Sequence, residues 1–572
     1  MLAGELHNSS ASIPAYMEPI WDKLANLNLN TVIGTASWEL VEPVEGQFDF
    51  TAVDAQVRAA EAHGMRLVLI WFGTWKNASS SYVPLWVRRN VQRFPMASTK
   101  SGTGSFMGMP VDSLSTFGQA TIAADAKAFR ALMRHIRETD PRHTVIMVQV
   151  ENETGVLGDS RDRSPLAEEA WSKPVPRELL GYLEQHKGSL LPELSRVWEA
   201  RGFRTAGTWP EVFGTGPAAE EVFMAWHTGR AVDRVAEAGK AELPIPMYAN
   251  AWLGPQPRQT LPGQYPSGGP VAGMLDVWRA AAPHLDLFAP DIYVADFSGV
   301  CELYVRSGNP LFIPEARTNI PSLFWAVGHH ATLGYSPFAI EDISGFKPLA
   351  AAYAMLGGLA PVLLKYQSEG KVMAVIEGNE ASVKQFEDGT GLLIRFGDPR
   401  AAFTPAADKK PDQQKDSSPA PAPAAEFSIK PDMDKRGFAL VIMTTPEEFV
   451  IAGSNVVITN SRSHLGTVDE GRFENGRWMP GRRLNGDETF SGNFFTLAPD
   501  ALEMRRVVRS QLRATQFAGR VSEHDCADAG VLSGGHVAPD SHRPTGRQGP
   551  VVRTCCTGSF YLALLPLFHR QG

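Results

Sequence analysis

The run Val145-Ile146-Met147-Val148-Gln149-Val150 leads straight into Glu151-Asn152-Glu153-Thr154-Gly155. A short apolar stretch rich in β-branched residues reads as a strand buried on both faces, the kind a parallel sheet needs. Its charged tip cannot share that burial. In α/β barrels and doubly wound sheets the C-terminal ends of parallel strands carry the active site, so this tip is a candidate site. Leu311-Phe312-Ile313-Pro314-Glu315-Ala316-Arg317 repeats the pattern, again ending in a carboxylate. One strand-tip glutamate alone is as readily a solvated loop residue. Two, from distant parts of one chain, have the chemistry of a glycosidase: one protonates the leaving oxygen, and the other attacks the anomeric carbon or activates water. Side chains alternate along a strand, so Glu151 and Glu153 point to one side and spacing does not choose between them.

The same alternation of strand and helix runs from residue 1 to about 365. Met1–Leu6 reads as strand one, followed by a helix over 15–27. Strand two is Thr31–Thr35, ending at Trp38 and Glu39; strand three is Arg66–Phe72, leading to Trp75. Residues 73–118 read as an excursion over the barrel mouth, 123–138 as a helix, and 156–243 as a helical insertion. Strands five, six and eight are Pro246–Asn250, Leu287–Tyr293 and Tyr335–Ile340, with Glu341 and Asp342 at the last tip. Eight such units predict an α/β fold, a (β/α)8 TIM barrel. The apolar stretch 349–364 is broken by Gly357, Gly358 and Pro361, so it reads as a buried barrel helix and not a membrane span.

From about 370 the texture changes to strands without intervening helices, as in Val372–Ile376, Thr390–Phe396, Phe438–Met443 and Asn455–Thr459. These predict a C-terminal all-β, sandwich-like domain over 366–508. The Pro-, Ala-, Asp- and Lys-rich segment 404–425 reads as a flexible loop. Residues 509–572 show little periodicity and hold Cys526, Cys555 and Cys556. They are expected to be a disordered tail or the product of out-of-frame translation.

A net charge of -8 with no polybasic tract argues against nucleic acid. Four cysteines form neither a disulfide framework nor a CxxC pair, and His524 with the three tail cysteines fits no zinc template. No metal and no cofactor is therefore expected, since proton transfer and a carboxylate nucleophile suffice for the chemistry.

Gln149-Val150-Glu151-Asn152-Glu153-Thr154-Gly155 resembles the acid/base signature of glycoside hydrolase family 35, and Ile313-Pro314-Glu315 resembles its nucleophile motif. The segment Glu42–Phe50 is similar to a turn after strand two in families 35 and 42, and 366–508 resembles a β domain of uncharacterised function in one bacterial branch of family 35. The likeness spans most of residues 1–508. It implies a retaining barrel enzyme with Glu153 as acid/base and Glu315 as nucleophile, about 5 to 5.5 Å apart. It further implies that Asn152 bonds the sugar 2-hydroxyl and that Tyr293 holds the nucleophile. Asn152 is otherwise a turn-former, and Tyr293 otherwise a packed aromatic. Trp38 and Trp75 are candidate platforms for a sugar face, or ordinary core; Glu39, His7 and Asn250 are mouth residues without roles.

The reading that follows is an exo-acting β-galactosidase that trims terminal galactose from an oligosaccharide or polysaccharide. Two alternatives stay open: the same mechanism on a glucoside, mannoside or arabinoside, and a non-catalytic carbohydrate-binding barrel. Self-association into a homo-oligomer is also open. Relatives carry residues before strand one, so a truncated or mis-assigned start is expected, with a genuinely shorter protein as the alternative; a periplasmic or secreted location is expected only if the start is truncated.

Overall fold

The computed structural model describes residues 1–397, 431–460, 464–484 and 486–510. The expectations for the 404–425 loop and for the tail beyond 510, with its three cysteines, lie outside the described residues. Eight parallel strands form one sheet in sequence order: β1 Ala3–Glu5, β2 Thr31–Ser37, β3 Arg66–Lys76, β4 Val145–Asn152, β5 Met247–Trp252, β6 Leu287–Ile292, β7 Ile313–Ala316 and β8 Tyr335–Pro337. Parallel bridges Leu2–Tyr335 and Glu5–Phe338 bring the last strand back to the first and close the barrel.

The continuous apolar character of these strands follows from burial on both faces. Along β3, Val68, Ile70 and Phe72 fill the barrel with Ile33, Tyr248 and Phe312. The intervening Leu67, Leu69 and Trp71 pack under the surrounding helices. Several expected bounds change. The helix foreseen over 15–27 is split into Pro14–Met17 and Trp21–Asn26. β8 ends at Pro337, so Glu341 and Asp342 sit on a separate 3-10 turn, Ile340–Ile343. The insertion holds Pro165–Ser172, Arg177–Gln185, Pro192–Glu199, Trp209–Phe213 and the long Pro217–Lys240 helix. A short hairpin, Gly104–Phe106 with Met109–Val111, stands in the excursion after β3.

The helix Lys347–Ser368 is, among the described residues, the one long and apolar enough to cross a membrane by length and composition. Here it is only partly buried. Its Tyr353 hydroxyl donates to the carbonyls of Ala3 (2.7 Å) and Tyr335 (3.1 Å), fastening it to the barrel, while Leu364 is exposed. On its other side the hairpin Leu465–Leu484 comes so close that a Cβ on Gly358 would overlap the Phe473 carbonyl.

The C-terminal strands form two antiparallel sheets. β9 Val372–Ile376, β11 Phe438–Met443, β12 Glu448–Ser454, β14 Leu465–Glu474, β15 Arg477–Leu484 and β17 Glu503–Arg509 make the larger sheet. β10 Leu392–Phe396, β13 Val456–Asn460 and β16 Phe494–Leu497 make the smaller. One expectation fails here: a helix, Glu380–Thr390, separates β9 from β10. Asn379 caps it, accepting from the Ser382 amide, and Phe386 is its main core anchor. In the larger sheet β11 is buried on both faces. Ala439 and Val441 face the smaller sheet, whereas Phe438, Leu440 and Ile442 join the barrel core. The helix Ile320–His330 receives that face, with Phe324 against Phe438 at 5.1 Å.

Candidate active site

The register between β3 and β4 breaks at the barrel mouth. Trp71 pairs with Val150, and the next pairing is Lys76 with Asn152, so residues 72–75 bulge opposite Glu151. The bulge turns the Thr74 and Trp75 amides onto the Glu151 carboxylate at 3.1 and 2.7 Å. Asp125, on the helix Gln119–Thr139, joins from behind, accepting from Trp71 Nε1 and the Thr74 amide, both at 2.8 Å, and hydrogen-bonding Glu151. Burial pushes both carboxyl groups up, so the pair keeps a proton between them. Gly73 is required at this point: a Cβ there would stand 2.6 Å from both Asp125 Oδ2 and Glu151 Oε1. Glu151 therefore braces the bulge. Simple alternation fails because Glu151 has a left-handed backbone (φ +64) that turns its side chain away from the direction Glu153 takes.

Glu153 lines the cavity in the mouth, together with Lys76, Asp291, Tyr293, Glu315 and His7. The cavity measures ≈ 1580 Å³. Glu153 and Asp291 on the wall are joined through Asn250. The Glu153 amide donates to Asn250 Oδ1 (2.9 Å), Asn250 Nδ2 donates to Asp291 Oδ2 (2.6 Å), and the Asp291 and Glu153 carboxyl groups are hydrogen-bonded to each other. Burial, reinforced by the charge of Glu315, pushes Glu153 up to about 7, with Lys76 pulling the other way. Asp291 is raised well above the usual carboxylate range, first by burial and then by Glu315 and Glu153. Two carboxyl groups this close share a proton because both cannot ionise. Asp291 and Glu315 are register partners on β6 and β7. The Tyr293 hydroxyl donates to Glu315 Oε1 at 2.6 Å, a charge-assisted bond of roughly 1.5–3 kcal/mol.

Two more carboxylates border this group. Glu5, at the end of β1, is 1% exposed, and burial and Glu315 raise it well above its ordinary value. Glu341 accepts from the His7 amide (3.0 Å) and Ser10 Oγ (2.6 Å), and His7 Nε2 meets Asp342 at 2.8 Å. The arrangement combines an acid that keeps its proton near neutrality with a second carboxylate held by a tyrosine. That is the equipment for proton donation to a leaving oxygen and attack from the facing side.

Asn152, the last residue of β4, is 1% exposed and lies behind the cavity wall, next to Glu153, and neither of its amide atoms has a partner among the described residues. It makes no helix cap. Trp38 and Trp75 are placed differently from a sugar platform. Both are buried, at 0% and 3% exposure. Their indole N–H groups donate to Glu42 Oε2 (3.0 Å) and to the Leu114 carbonyl (3.1 Å), and neither ring lines the cavity. They are core, because the turn after β2 and the excursion after β3 fold over them. Glu39 is also outside the cavity wall. The reading missed Asp291, Lys76 and Glu5; a carboxylate one strand-period before Tyr293 was the available signal for Asp291. Glu302, His329 and His330 form a group of metal-ligand type, but on outer helices and not among the cavity residues.

Residues 15–205 match the β-galactosidase model of glycoside hydrolase family 42, and residues 349–496 match a domain of unknown function (DUF5597). A β-galactosidase of Xanthomonas manihotis is 33% identical over an alignment of 175 residues that covers 28% of this chain and 24% of that protein. The chain thus spans about a quarter of the length of that curated relative. Among solved structures, a cold-adapted β-galactosidase from Rahnella sp. R3 aligns with TM-score 0.41 at 15% identity, over 64% of this chain and 57% of that one. A β-galactosidase from Marinomonas ef1 aligns with TM-score 0.42 at 12% identity, over 64% and 60%. The matched model belongs to family 42, so the narrower placement in family 35 is not supported. What the comparisons show is a likeness to β-galactosidases over residues 15–205.

Proposed function

We propose that the chain is a retaining exo-β-galactosidase, with Glu153 as acid/base and Glu315 as nucleophile. The observation that carries this reading is the proton-holding Glu153 beside Glu315, both on the wall of one cavity at the barrel mouth. Burial and the neighbouring negative charge keep Glu153 protonated up to about pH 7, as a general acid must be. Glu315 attacks the anomeric carbon while Glu153 donates to the departing oxygen. Tyr293 aims the attacking carboxylate through its 2.6 Å bond. Once the leaving group has departed, Glu153 takes a proton from water, whose oxygen attacks the anomeric carbon; the bond to Glu315 breaks and the sugar leaves with its β configuration. Asn152 is the donor and acceptor for the sugar 2-hydroxyl. Its buried, unpartnered amide is what supports that role, since an unmade buried bond is worth roughly 1–3 kcal/mol. Asn250 and Asp291 hold Glu153 in place.

The test is hydrolysis of an aryl β-galactoside followed by NMR. Glu153→Gln and Glu315→Gln are each expected to lose most of the turnover, and the first-released anomer is expected to be β. Full turnover in either variant refutes that residue's role, and an α first product refutes retention. A panel of aryl glucosides, mannosides and arabinosides decides the sugar.

A further inference from the structure

Residues 349–496 match a domain with no known function, yet part of that domain reaches the cavity that holds Glu153 and Glu315. The segment Pro431–Gly437 leads into β11. At one end Gly437 is tied to Glu377, amide to carbonyl in one direction (2.8 Å) and amide to carboxylate in the other (2.9 Å). At the other end the segment is fastened to the loop after β7. The Asp432 amide donates to the Thr318 carbonyl (2.9 Å), and Asn319 Nδ2 donates to both Asp432 and Asp434, at 3.0 Å each. Asp434 in turn pairs with the Arg436 guanidinium through Nε at 2.8 Å and Nη2 at 2.6 Å.

Asp432 and Asp434 share the tether to Asn319, and Arg436 is held by Asp434. Asp432 and Arg436 are still exposed side chains on the wall of the cavity that holds Glu153 and Glu315. Elsewhere that wall carries Phe106 and the half-buried Trp252, in edge-to-face contact at 5.0 Å. Asp432, Arg436 and two aromatic rings supply what a pyranose takes: acceptors and donors for its hydroxyls and apolar faces for its ring. The cavity, at ≈ 1580 Å³, exceeds the roughly 300–1,000 Å³ that encloses a drug-sized ligand, so it has room beyond the one sugar held at the glutamate pair.

We propose that the C-terminal domain builds a binding site for the leaving group, with Asp432 and Arg436 hydrogen-bonding a neutral saccharide attached to the departing oxygen. This rests on the β-galactosidase reading for its chemistry. It makes the preferred substrate an oligosaccharide and not a simple galactoside. The same tether links the domain to Asn319, which caps the helix Ile320–His330 by accepting from the Ser322 amide. The loop after the nucleophile strand and the leaving-group site thus share one set of hydrogen bonds.

The test uses the full chain with Asp432→Ala, Arg436→Ala and the double variant. Both side chains are exposed, and Asn319 keeps its bond to Asp434 in each variant, so only a small fall in thermal stability is expected. With a β-galactosyl oligosaccharide, KM is expected to rise about tenfold or more in the double variant. With an aryl β-galactoside, whose leaving group has no hydroxyls to bind, kcat/KM is expected to stay within about twofold. Equal losses on both substrates, or none on either, overturn the proposal. A second arm needs no turnover: calorimetric titration of the oligosaccharide into Glu153→Gln, with and without Arg436→Ala. Weakened affinity supports the site, and unchanged affinity overturns it. A wild-type chain inactive on both substrates would refute the proposed activity while leaving the titration to decide the binding site.

Discussion

Replacing Glu153 by glutamine is expected to make the protein more stable above neutrality, and the size of the gain follows from the site. The carboxyl group ordinarily ionises at 4.5 and is pushed to about 7, chiefly by burial. The folded state therefore keeps a proton that the unfolded chain releases between those values, and stability falls as pH rises through that window. From 4.5 to about 7 is a span of about 2.5, which at 1.36 kcal/mol per pH unit is roughly 3 kcal/mol. Glutamine does not ionise, and its side-chain carbonyl can accept from Asp291 as the carboxyl group does, so the variant avoids this cost. Urea unfolding of both proteins, followed by tryptophan fluorescence, should show no pH-dependent gap below pH 4.5. A gap of about 3 kcal/mol in favour of the variant should open by pH 7 and stay constant above it. A gap that is absent, that has the opposite sign, or that opens below pH 4 would refute the account of Glu153 as a buried, proton-holding acid.

The activity itself should fall as pH rises through about 7, because Glu153 must carry its proton to act as acid; a basic limb of kcat/KM near 9 would show that another group is the donor. Asp291→Ala removes a hydrogen bond that favours ionised Glu153, so the limb should move to higher pH, and a move to lower pH would contradict the carboxyl pair. Tyr293→Phe should lower kcat by about 10- to 100-fold through loss of the bond to Glu315, together with a fall in stability of no more than about 3 kcal/mol. Trp38→Phe and Trp75→Phe should each cost roughly 2 kcal/mol of stability, from a core void and a lost buried donor partner, with KM unchanged; a large KM effect would put the ring against the substrate after all.

The eight barrel strands were legible from local composition, though several of their bounds and the helix 15–27 were not. A strand buried on both faces must be apolar along its whole length, and its tip must turn polar where burial ends, so the barrel and the stretches holding Glu153, Tyr293 and Glu315 stand out in the sequence. The β motifs from residue 372 onward were legible for the same reason, though the helix Glu380–Thr390 was not, since its apolar positions are few. The choice between Glu151 and Glu153 was a different matter. It depends on a bulge in β3 and a left-handed residue in β4, and neither is visible until two strands distant in sequence are paired. Trp38 and Trp75 show the same limit: whether an indole stacks on a ligand or fills the core depends on which loops close over it. Asp291 and Asn250 gain meaning only beside Glu153. The sequence by itself determined which segments must be buried and which residues end them, because burial acts on each segment's own composition. Only the tertiary structure decided which carboxylates meet, which one keeps its proton, and that residues from a second domain stand at the same cavity, because those depend on register, closure and the charge of neighbours that lie far away along the chain.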